Sequence, residues 1–185
     1  MGIKINGRRF ITHTELMWCV GIVGILCCVL FAGASGAIRG PKYGQELSTL
    51  HNVKTAIAAY FTEYRKFPVV GEDERVLTEP MLMNQLVGSD SGAPYYSPRD
   101  FAFFASSSAR KDASGKWVRG IHVNEDGDAW LYDRWGNPYR VILDSDLDNQ
   151  IIDPFTGESL SLGVLCWSAG PDGKDGTKDD LRTWK

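Results

Sequence analysis

Between Leu16 and Ile38 the chain reads LMWCVGIVGILCCVLFAGASGAI, 23 positions without a charged side chain. A helix of that length rises roughly 30 Å, the depth of a bilayer's hydrocarbon, so the run predicts a membrane-spanning helix. Lys4, Arg8 and Arg9 precede it, and Arg39 and Lys42 follow it. The first fourteen residues hold no acid, whereas Glu46 closely follows the second basic pair. That asymmetry predicts a cytoplasmic N-terminus, with the rest of the chain outside the cytoplasm. A basic start, an apolar stretch and Ala32-Gly33-Ala34 also describe a cleaved secretory signal. Against that alternative stand the length of the run and Glu15 at its edge, since an acid heading a membrane helix is costly and marks function.

Beyond the run, Leu47, Leu50, Val53, Ile57, Tyr60, Phe61 and Tyr64 recur at spacings of three and four, which predicts an amphipathic helix. Gly40-Pro41 should kink or interrupt the rod and Pro68 should end it. Thr78 to Val87 suits a short helix. Lys116 to Val123 and Ala129 to Asp133 flank the turn-forming Asn124-Glu125-Asp126-Gly127-Asp128 and predict a hairpin, with further strands at Tyr139 to Leu143 and Leu162 to Trp167. The expected organisation is a basic leader over 1–10, a transmembrane helix over 11–39, an amphipathic helix over 40–67, and a globular α+β region over 68–185.

A formal net charge of -3 with no long run of one sign excludes a nucleic-acid footprint. Cys19, Cys27 and Cys28 fall inside the apolar run and Cys166 stands alone, so no disulfide framework is legible. Histidines occur only at 13, 51 and 122, and no nucleophile elbow or phosphate loop is present. The chain therefore does not read as an enzyme, although its many carboxylates leave a secreted or membrane-tethered enzyme as an alternative.

Two loops concentrate oxygen ligands. From Ser168 to Leu181 the chain reads SAGPDGKDGTKDDL, where glycines let a loop curl and carboxylates suit calcium. Asp144-Ser145-Asp146-Leu147-Asp148-Asn149 copies the alternation that opens an EF-hand loop. Asn149 then stands where glycine is expected, and Phe155 where a bidentate glutamate is expected. A solvated turn is the expectation there.

Arg8-Arg9-Phe10-Ile11-Thr12-His13-Thr14-Glu15-Leu16, followed by an apolar helix, resembles the N-terminal signature of the type IV pilin-like family, which includes the pseudopilins of type II secretion. His51 to Tyr60, Lys66-Phe67-Pro68 and the turn Asp133-Arg134-Trp135-Gly136-Asn137-Pro138-Tyr139 are similar to the major pseudopilin branch of that family. The resemblance implies an α+β, pilin-like fold: a long N-terminal helix, membrane-spanning in its first half and amphipathic in its second, packed on a small antiparallel β-sheet. Leader cleavage before Phe10 would make Glu15 the sixth mature residue, and cleavage before Ile11 the fifth. Both registers stay open, as does N-terminal methylation.

By the same resemblance the chain is a structural subunit of a type II secretion pseudopilus, assembling through its N-terminal helix into a filament that drives protein export. A structural type IV pilin is the nearest alternative. Phe10, Ile11 and Glu15 would serve processing and filament register. Ser168, Asp172, Thr177, Asp179 and Asp180 would hold Ca2+ in a C-terminal loop. Implied partners are copies of itself, minor pseudopilins, a prepilin peptidase and an inner-membrane assembly platform. The implied location is the inner membrane, single-pass, with the C-terminal region extracytoplasmic.

Overall fold

The computed structural model describes residues 13, 14, 16–23, 40–68, 75–88 and 101–184. The chain divides into two units, Met1–Lys42 and Tyr43–Lys185. In the first unit residues 16–23 are helical, and Leu16, Met17, Trp18, Val20, Ile22 and Val23 all expose large apolar side chains. Among the described residues no helix is long and apolar enough to cross a membrane. The expected membrane-spanning helix, and with it the single-pass inner-membrane location, is corrected accordingly. Phe10, Ile11, Glu15 and the remainder of the apolar run lie outside the described residues.

Helix α1 is described over Gly40–Tyr64, and what precedes Gly40-Pro41, where a kink or interruption was expected, lies outside the described residues. Arg65 takes φ +56° and donates its N–H to Phe61 O at 2.8 Å, a left-handed stop just ahead of Pro68. Leu50, Val53, Ile57 and Tyr60, spaced 3-4-3, are fully buried, while Ser48, Asn52, Thr55, Ala59 and Thr62 face outward. Helix α2 (Pro80–Val87) begins on a proline and ends at Gly88, whose φ of +71° lets its N–H reach Asn84 O. Tyr60 of α1 donates to Gln85 Oε1 of α2 at 3.2 Å in the interior.

The strands are β1 (Arg75–Leu77), β2 (Arg110–Lys111), β3 (Trp117–Val118), β4 (Gly120–Val123), β5 (Ala129–Tyr132), β6 (Arg140–Leu143), β7 (Ile151–Ile152), β8 (Ser159–Leu160), β9 (Val164–Ser168) and β10 (Leu181–Arg182). They form a four-stranded antiparallel sheet in the order β1-β6-β9-β10 and three separate two-stranded pairs, β2-β3, β4-β5 and β7-β8. The expected fold, one long N-terminal helix on one small sheet, is thus corrected on both counts. Short strands broken by turn residues pair locally, and the four-stranded sheet is built on β6 and β9 at its centre.

Those two strands are covered on both faces. Val141, Leu143, Val164 and Cys166 join the cluster built on Leu50, Val53 and Ile57 of α1. The alternate residues Ile142, Leu165 and Trp167 pack with Ile151, Phe155 and Trp184. Two-sided burial explains why VLCWS reads as a continuous apolar run without polar alternation.

Candidate functional site

The turn at Asp133 to Tyr139 is organised by one carboxylate. Asp133 Oδ1 accepts the N–H groups of Trp135 at 2.9 Å and Asn137 at 2.8 Å, and Oδ2 accepts the Ser168 hydroxyl at 2.7 Å. Burial, and further the charge of Glu46, push the Asp133 carboxyl above the usual aspartate range against these hydrogen bonds. Glu46, buried on α1, takes the Tyr139 hydroxyl at 2.6 Å and the Arg134 N–H at 3.2 Å on Oε2. Burial, then Glu46, drive the Tyr139 phenol upward as well. With Tyr43 and Trp135 ring centroids 5.9 Å apart, the turn is pinned to α1. Its residues are consumed by structure, and the buried anchor Glu46 carried no sequence signal.

The C-terminal loop runs from Ser168 at the end of β9 to β10. Thr177 Oγ1 lies 2.6 Å from Asp179 Oδ1 and 3.2 Å from Asp180 Oδ1, and the Asp172 N–H approaches Asp179 Oδ2 at 3.4 Å. The Thr177 hydroxyl holds the Asp179 carboxyl below its usual range. Asp172, Thr177, Asp179 and Asp180 are therefore brought together, whereas the Ser168 hydroxyl turns inward to Asp133.

The donors already have partners. Asp180 Oδ2 accepts Gly176 N–H at 2.8 Å and pairs with Arg182 at 3.1 Å. Asp175 pairs with Arg140 at 2.6 Å and accepts the Trp167 indole N–H at 2.9 Å. Gly170, at φ +62°, passes so close to Asp179 that a β-carbon would sit 2.6 Å from its carboxylate. Asp175 and Asp180 each pair with an arginine, Arg182 lying on Oδ2 of Asp180 while its Oδ1 takes the Thr177 hydroxyl. The expected Ca2+ ligands are thus gathered, apart from Ser168, with Arg182 held on Asp180.

The other acidic loop differs. One carboxylate oxygen each from Asp144, Asp146 and Asp148 lie within 4.8 Å of one another, the only such acidic triad among the described residues. Asn149, at φ +59°, supplies the left-handed residue that glycine was expected to supply, and its N–H reaches Asp144 Oδ2 at 2.8 Å. Burial, then the facing Asp146 carboxylate, raise the Asp144 carboxyl.

His122 lies between two indoles, 4.1 Å from the Trp117 ring centroid and 5.9 Å from that of Trp130. Stacking accounts for its position. Cys166 is fully buried. No protein-family model, curated protein or solved structure matches this chain.

Proposed function

We propose that the chain is a structural filament subunit of the pilin-like type, assembling through its N-terminal segment in a pseudopilus for protein export. The observation that carries this reading is the helical stretch 16–23, where Met17 and Trp18 are 75% and 74% exposed and Leu16, Val20, Ile22 and Val23 are also uncovered. A contiguous apolar surface of this kind is a site of association. Copies stacked through a heterologous contact bury it repeatedly, and a contact that does not close generates a filament. Support also comes from α1, which docks one face on the sheet and keeps small and polar residues on the other, open to a neighbouring copy. Glu15, beside this stretch, sets the register by pairing with the N-terminal amine of the next subunit.

The test is assembly of the full chain, followed by sedimentation and negative-stain imaging, with Val20→Asp and Glu15→Val alongside. Wild type should sediment as short fibres, and both variants should remain in the supernatant while the Tyr43–Lys185 unit keeps its melting transition. A wild-type chain that stays monomeric over a wide concentration range, or a Val20→Asp chain that assembles as well, overturns the proposal. Long surface fibres in place of short envelope-bound ones would favour a pilus over a pseudopilus.

A further inference from the structure

We infer that the loop from Asp144 to Asn149 is a binding site for a single calcium-class divalent cation, independent of the filament role. Three carboxylate oxygens within 4.8 Å of one another can share one ion, because calcium–oxygen distances of roughly 2.4 Å place paired ligands up to about 4.8 Å apart. Asp144 supplies the second, independent observation. It is only 6% exposed, and its Oδ1 is the single buried side-chain oxygen or nitrogen among the described residues with no hydrogen-bond partner. Leaving a buried carboxylate oxygen bare beside two more carboxylates is costly by both desolvation and repulsion.

No described lysine or arginine forms an ion pair with Asp144, Asp146 or Asp148, in contrast to Asp175 and Asp180 in the C-terminal loop. A cation is the missing partner. The donors are all hard oxygens, with no imidazole or thiolate, which selects calcium or magnesium over zinc. Asp146 and Asp148 are exposed, so waters can complete the shell. Phe155 occupies the position of a bidentate glutamate and provides no ligand, which leaves an adaptable, incomplete cage. Calcium accepts such a cage; magnesium demands a tighter octahedron.

The loop is fixed at both ends. The Asp144 N–H donates to Gly163 O at 3.1 Å, beside the start of β9, and Gln150 N–H donates to Asp148 Oδ1 at 2.7 Å just before β7. An ion there would tie β6, β7 and β9 together.

The experiment is calorimetric titration of the full, chelator-treated chain with calcium chloride and, separately, magnesium chloride. Wild type should bind one calcium, and Asp146→Asn and Asp148→Asn should each weaken binding about tenfold or more. Both side chains are exposed, so these variants should keep the wild-type circular dichroism and a loss would not reflect unfolding. The double variant Asp172→Asn/Asp179→Asn should bind as wild type does. Absence of calcium binding at millimolar ion, equal or tighter magnesium binding, or loss in the Asp172/Asp179 variant with none in Asp146→Asn would each overturn the assignment.

Discussion

The Tyr139 hydroxyl donates to Glu46 Oε2 at 2.6 Å, joining residues 93 positions apart in the buried interior. Removing that donor leaves the glutamate with the Arg134 N–H alone among the contacts described above. Tyr139→Phe should therefore destabilise the fold by about 1–3 kcal/mol, and Glu46→Leu/Tyr139→Phe should recover part of it. Urea titration measures both. A Tyr139→Phe midpoint equal to wild type would remove the bond from the account.

Gly120 takes φ +119°, and a β-carbon there would run into the Ser107 carbonyl oxygen, which also accepts the Ile121 N–H at 2.9 Å. Gly120→Ala should cost about 2–4 kcal/mol, from left-handed strain and from parting the 107 and 121 backbones. Differential scanning calorimetry of the variant should show a clearly lower transition; an unshifted one refutes the close approach.

Asp180 has a wholly buried side chain, paired with an Arg182 side chain that is 9% exposed. Arg182→Met should strand that carboxylate and lower stability by about 2–4 kcal/mol. Asp180→Asn/Arg182→Met should be milder than the single arginine change. If the double variant is the worse of the two, the pair is not the loop's clasp.

Asp153 accepts the Phe155 N–H at 2.8 Å and the Trp184 indole N–H at 2.9 Å. Burial alone would raise this carboxyl, but the Phe155, Trp184 and Thr156 hydrogen bonds outweigh it and hold the folded value below the usual aspartate range. A lowered folded pKa contributes stability above the unfolded value that is lost as pH falls through the folded one. Trp184→Phe should therefore cost about 1–2 kcal/mol at neutral pH, with the gap narrowing in acid. Denaturation midpoints at several pH values test this, and a gap that widens in acid would contradict it.

The sequence disclosed elements whose punctuation is local. Proline and glycine bracket α2, Asn124 to Asp128 mark the β4-β5 turn, and apolar runs mark β6 and β9. The 3-4-3 spacing of Leu50, Val53, Ile57 and Tyr60 fixed the buried side of α1. It did not disclose β1, whose three residues gain their place only by pairing with distant β6, Arg75 opposite Ile142, Val76 opposite Val141 and Leu77 opposite Arg140. The charge balance of the two acidic loops was likewise hidden. Both read as crowded carboxylates, yet Arg140 on β6 reaches Asp175 only through folding, and Arg182, two residues beyond Asp180, turns back onto it. Asn149 looked unfit for a sharp turn because glycine is the usual occupant, although asparagine also tolerates the left-handed region.

Cys166 sits at the centre of β9, opposite Val141, with its thiol fully buried and pushed by burial up to about 12. At neutral pH it is both shielded and protonated, so an alkylating reagent can reach it only when the central strands part. Cys19 is exposed and reacts directly. With Cys27 and Cys28 replaced by serine, Cys19 is a fast reference and Cys166 a slow reporter, and the ratio of their modification rates clocks how often the sheet opens beneath α1.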